Sequence, residues 1–128
     1  MTKNMKRIHS VTIQRITDKD PDTSYLQQEG YEERWQQFQD GQFNFIGIMA
    51  CAEVTKAFSA TVTLAEYKGH GGIAQSITSG GLWGIESDSD RSYLQEIEDE
   101  QLSELREQLR AFGFSQRAIS AAFKNVVR

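Results

Sequence analysis

Cysteine, proline and histidine are scarce in this chain of 128 residues, which holds one Cys, one Pro and two His. The lone Cys51 lies inside an apolar run and cannot form an intramolecular disulfide, so folding does not call for an oxidising compartment. His9 and His70 are few parts from which to build a histidine zinc site or a Ser-His-Asp hydrolase, and catalysis finds no support in these residues. No stretch approaches the roughly 20 apolar residues of a membrane span. The Met1–His9 segment carries charge without the apolar core of a secretion signal, so secretion is disfavoured and the cytoplasm is the expected compartment. With a single proline (Pro21) and ten glycines, the composition is not that of a low-complexity chain. Seven Phe, four Tyr and two Trp can fill a core, and one domain over residues 1–128 is expected.

Acids, by contrast, are plentiful and unevenly placed. Between Glu86 and Glu107 there are nine acids against Arg91 and Arg106, a local balance of −7 in a chain of formal charge −4. Basic residues gather at the two ends (Lys3, Lys6, Arg7; Arg110, Arg117, Lys124, Arg128). The pattern predicts an acidic flank that repels nucleic acid and suits a basic protein surface.

One acidic phrase occurs twice, as Asp18-x-Asp20-x-Asp22-x-Ser24-Tyr25-Leu26-Gln27 and as Glu86-x-Asp88-x-Asp90-x-Ser92-Tyr93-Leu94-Gln95. The simpler reading is helix capping: Asp and Ser oxygens accept from the free amides of a first turn, and Tyr-Leu opens the apolar face. The alternative is a joint divalent-metal site built from Asp18, Asp20, Asp22, Glu86, Asp88 and Asp90, since alternating acids present oxygens to a hard cation. Against a calcium loop, neither copy has glycine at the sixth position. Glu29 supplies an acid at the twelfth in the first copy, but Ile97 stands there in the second.

Along the chain, Ile8–Ile16 reads as a strand stopped by the Asp/Pro phrase. Over Gly30–Asp40, Tyr31, Trp35 and Phe38 recur at helical spacing. Phe43–Val54 is apolar on both alternating sets, the mark of a central strand. Ala60–Tyr67 and Ile73–Ser79 form a hairpin around Gly69–Gly72, and Leu82–Ile85 is a last strand or a bulged continuation after Gly80-Gly81. Asp90–Phe112 is the strongest helix, with Tyr93, Leu94, Ile97, Leu102, Leu105, Leu109 and Phe112 in its stripe. Ser115 caps a final helix reaching about Val127. The class is α+β: an antiparallel sheet of about four strands, a short helix after the first, and two C-terminal helices packed on it.

The glycine clusters at Ser79–Gly81 and Gly69–Gly72 lack the strand-to-helix context of a nucleotide loop, and turn chemistry explains them. Leu109–Lys124 has the cadence of the first half of a helix-turn-helix, but the sequence ends at Arg128 before a recognition helix, so direct DNA reading is not expected. An exposed stripe on this last helix would support a homodimer.

The run from Ile77 through Trp83 to Asp90, continuing into Tyr93-Leu94 and the acidic helix, resembles a recurrent segment of small proteins carried by phages, prophages and other bacterial mobile elements. The early Asp-Pro-Asp-x-Ser-Tyr-Leu is similar to the same group. The resemblance implies an accessory, anti-defence (anti-CRISPR-like) role in the bacterial cytoplasm, and it carries no catalytic residues. The expectation is a non-enzymatic protein without a cofactor that inhibits a basic, nucleic-acid-binding defence protein. Its partner surface would comprise Trp83, Glu86, Asp88, Asp90, Glu96, Asp99, Glu100, Glu104 and Glu107.

Overall fold

Two long strands pair in space, although a turn and a helix separate them in sequence. The computed structural model describes residues 6–57 and 72–128. Strand β1 (Lys6–Thr17) runs antiparallel to β2 (Phe45–Ala57) over its whole length, with a bulge at His9. Between them lie a 3-10 turn (Ser24–Gln27) and helix α1 (Glu32–Gln39). On its other edge β2 pairs with β3 (Gly72–Thr78) along its second half and with β4 (Leu82–Glu86) along its first. β4 is thus the bulged continuation of β3, broken where Ser79-Gly80-Gly81 intervenes and Gly81 takes a left-handed φ of 80°. Helices α2 (Arg91–Ala111) and α3 (Gln116–Phe123) follow.

The expected α+β class and four-strand antiparallel sheet are therefore present. The strand expected over Ala60–Tyr67 and the turn at Gly69–Gly71 lie outside the described residues.

Period-2 alternation decides what faces the C-terminal helices. Ile46, Ile48, Ala50, Ala52 and Val54 of β2 join Val11 and Ile13 of β1 in one buried cluster. Leu94, Ile97, Leu102, Leu105 and Leu109 of α2 close over them, with Phe114, Ile119 and Phe123 completing the layer. Phe45, one residue out of phase, belongs to a second cluster with Leu26 and Phe43, against which Tyr25, Trp35 and Phe38 pack. Tyr31, expected on this face, is exposed and meets Tyr25 edge-on at the margin of the cluster.

Three sequence expectations need correction. The final helix stops at Phe123, and the chain then joins the sheet: Val127 accepts from Ile13 N (2.8 Å) and donates to Val11 O (3.0 Å) as a parallel bridge beside β1. The apolar stripe of α3 is spent on packing, with Ile119 and Phe123 buried, so it is not the exposed dimer face expected from sequence. At the ends of the α2 stripe, Tyr93 and Phe112 stand about half exposed and do not join the buried layer. Ser115 does cap α3, accepting from Ala118 N at 3.1 Å.

Leu105 is fully buried at the centre of the layer. Leu105→Ala is expected to cost about 2–5 kcal/mol through lost transfer energy and the cavity left behind, read as a lower urea midpoint with an unchanged slope.

Candidate functional site

The acids that dominate the sequence do not form one surface. The chain's own cations and amides claim about half of them. From α1, Arg34 reaches the turn before α2, donating to Asp88 Oδ2 (2.8 Å) and Glu86 Oε2 (3.2 Å), with a second, closer contact to Asp88 Oδ1. Its guanidinium also lies 3.6 Å from the centroid of the Phe43 ring and donates to Gln37. The guanidinium holds the Asp88 carboxyl below the usual carboxylate range, and the Asp88 and Glu86 carboxylates hold Arg34 firmly charged. Burial, with the Glu86 carboxylate beside it, pushes the Tyr25 phenol up to about 12. Glu86 and Asp88, read from sequence as partner-binding or metal-binding acids, instead tie α1 to the start of α2.

The first copy of the phrase is equally occupied. Asp18 Oδ2 accepts from Gly84 N of β4 (3.0 Å) and its Oδ1 from Asp20 N (3.1 Å). Asp22 Oδ1 accepts from Ser24 N (3.0 Å) and Ser24 Oγ (2.7 Å), which draws its pKa down. The two phrases approach each other through Asp18 and Gly84. Even so, among the described residues no three His, Cys, Asp or Glu side chains are placed to share a metal ion, so the alternative ion site has no geometry behind it.

The helix-capping expectation is met in one copy and not in the other: Asp22 accepts from Ser24 N, the first amide of the 3-10 turn, whereas Asp90 stands at the N-cap of α2 but its side chain accepts no capping bond. What the copies share is the leucine, since Leu26 and Leu94 are both buried anchors.

On α2 the remaining acids divide by face. Glu98, buried, accepts from Arg15 Nη2 and Arg128 Nη1, both at 3.0 Å, and Asp99 accepts from Arg128 Nη2 at 3.0 Å. Gln101, also buried, accepts from Ser79 Oγ (2.6 Å) and Gly81 N (2.9 Å), while Ser79 Oγ accepts from Ala50 N (2.8 Å). Glu104 Oε1 accepts from Gly80 N (3.2 Å). The glycine turn at Ser79–Gly81 thus does cradle oxygens, but they belong to α2. Glu98 and Gln101 were missed as structural residues. The signal was available, because each lies three or four positions from the leucines and isoleucine of the stripe.

Glu96, Glu100 and Glu107 are left exposed, with no hydrogen bond or ion pair among the described residues. At i, i+4 and i+11 they align on one side of α2 over roughly 16 Å. Tyr93 precedes them on an adjacent turn, half exposed.

Trp83 belongs elsewhere. Its indole lies flat over Gly47 of β2, where an added Cβ would overlap the ring, and its Nε1 edge sits against Gly81. Gly47 alternates with the helix-facing Ile46 and Ile48, so Trp83 occupies the sheet face opposite α2 and does not share a surface with Glu96–Glu107. On that same face Cys51 is buried beside Glu53, and burial pushes its thiol pKa up, which disfavours the reactive thiolate. His9 meets Thr55 Oγ1 at 2.8 Å, and His70 lies outside the described residues.

This chain matches no protein-family model, no curated protein and no solved structure. Among the described residues, no helix is long and apolar enough to cross a membrane.

Two outcomes test this geometry. Gly47→Ala is expected to destabilise by about 1–3 kcal/mol, as overpacking does, and Gly47→Ala with Trp83→Ala should recover most of that loss in urea unfolding. The second concerns pH. Because the folded Asp88 pKa is depressed, its stabilisation is complete above the unfolded value of about 3.9 and fades as pH falls through the lower folded value. Arg34→Ala should therefore lower the melting temperature clearly at pH 7 and by much less below about pH 3.

Proposed function

We propose that this protein is a non-enzymatic binding protein that docks a basic surface of another protein through the outward side of α2. The observation that carries the reading is the row Glu96, Glu100 and Glu107, exposed and without a partner among the described residues, on a helix whose other acids are engaged internally. Like charges one turn apart on a helix repel each other. A row of them on a rigid helix is a standing electrostatic cost that a basic partner removes. Tyr93 adds an amphipathic ring at the end of the row, and complementary potentials speed encounter and select partners. Asp99 flanks the row, though it already shares Arg128.

Taken with the resemblance of the Ile77–Asp90 run and the following helix to proteins of phages and mobile elements, the partner would be a bacterial defence protein. The surface engaged would be one that otherwise holds nucleic acid, and the setting the host cytoplasm. Glu104, Glu86 and Asp88 are not part of this surface, since their oxygens hold the fold together.

The test is capture of partners from bacterial lysate on the tagged protein, beside the variant Glu96→Lys/Glu100→Lys/Glu107→Lys. The variant should keep the wild-type melting temperature, because none of the three side chains makes a hydrogen bond or ion pair among the described residues. A stoichiometric partner should be retained by the wild type, released by raised salt and lost in the variant. A partner held equally by the variant would overturn the reading, and so would a bait that retains nothing.

A further inference from the structure

Three arginines converge on one cleft of a chain that is acidic overall. Arg15 of β1, Arg91 and Gln95 of α2, and Arg128 line an open concavity of about 640 Å³, with Ile13 on one wall and Glu98 in its floor. The Glu98 side chain is only 6% exposed, whereas those of Arg15 and Arg128 are 49% and 40% exposed. The carboxylate therefore holds both guanidiniums from below; Arg128 also gives its Nη2 to Asp99, so Arg15 leaves the freer edge in the cleft. Arg15 contributes only one Nη2 hydrogen to that bond, so its remaining N–H groups point elsewhere. Arg91 has no hydrogen bond or ion pair among the described residues, although α2 is rich in acids.

Arg91 is also misplaced for helix stability. It occupies the first residue of a 21-residue helix with no acid in its first turn, and Asp90 at the N-cap accepts no capping bond. A cation there adds to the positive end of the helix dipole rather than offsetting it. Side chains at this position that favour helix stability are carboxylates, so the arginine adds nothing to the helix it begins and its guanidinium stays available to the cleft.

We propose that the cleft binds the phosphate group of a monoester, held by Arg91 with Arg15 and Arg128 alongside. A monoester offers three terminal oxygens to three guanidiniums, whereas a carboxylate offers two, and the planar fork of arginine matches such oxyanions bidentately. Glu98 acts as the positioning residue, fixing two of the three forks before the ligand arrives. The acidic row at Glu96–Glu107 plays no part in this site, so the two readings stand or fall separately.

The experiment is titration of the intact protein with inorganic phosphate at constant ionic strength, following the arginine Nε–Hε and backbone amide resonances by NMR, with acetate as the comparison anion. Phosphate should give saturable shifts at Arg91 and Arg15. Arg91→Gln should bind about tenfold more weakly, the loss of one charge-assisted contact. Arg117→Gln, on an exposed position of α3 outside the cleft, should bind as the wild type does. Undiminished affinity in Arg91→Gln would overturn the site, as would identical shifts with acetate or an equal loss in Arg117→Gln.

Discussion

The underside of α2 carries two kinds of residue, and the burial of its polar ones constrains everything else. Five aliphatic side chains, each worth about 1.5–3 kcal/mol on burial, suffice to hold the helix against the sheet, but oil alone sets its rotation and register loosely. Glu98 and Gln101 set them. Gln101 satisfies the Gly81 amide and the Ser79 hydroxyl within the bulge that separates β3 from β4. Glu98 receives two arginines from β1 and from the segment after α3. Sliding or rotating the helix by one position would strand these groups, at about 1–3 kcal/mol for each unsatisfied one. That penalty exceeds what a shifted leucine would regain, so α2 is locked, and with it the choice of which acids face water.

A second constraint works where β2 begins. α1 has no buried residue of its own and is only eight residues long, too short to be stable alone. It is retained by Trp35 and Phe38 packing on Phe43 and Phe45, and by Arg34 closing over Glu86 and Asp88. These ion pairs are partly exposed, so their worth lies in geometry more than in energy. They join the segment between β1 and β2 to the turn that launches α2, and so fix where the long helix begins.

How far this was legible in the sequence follows from which forces are periodic. The four-strand sheet, the central position of β2, the bulged continuation at Gly80-Gly81 and the extent of α2 all follow from alternation, helical spacing and glycine placement, which are local signals. The fate of the acids was not legible, because a carboxylate on an arginine 54 residues away looks in sequence like one facing water. The duplicated phrase misled for the same reason. Its repeated leucine marks a repeated anchoring need, met at Leu26 and Leu94, while its acids serve unrelated partners: Gly84 N and Ser24 in one copy, Arg34 in the other. Val127 could not be placed beside β1 from its spacing either, since Ile119, Phe123 and Val126 continue a helical rhythm through it and only the sheet edge ends that rhythm.

The same helix therefore presents two electrostatic faces within about a turn and a half of each other, an arginine-lined cleft at Arg91 and Gln95 and an acidic row beginning at Glu96. Left to diffuse in water, opposite charges so near each other would be expected to pair. They stay apart because α2 is rigid, because Asp99, which lies between the two faces on the wheel, already shares Arg128, and because Glu98 beneath the cleft holds both Arg15 and Arg128. Had Glu98 been apolar, Arg128 would have had only Asp99 to hold it and Arg15 no carboxylate among the described residues. One buried carboxylate thus separates the charges on the surface above it, and a molecule that is modestly acidic on average keeps both a positive and a negative site available.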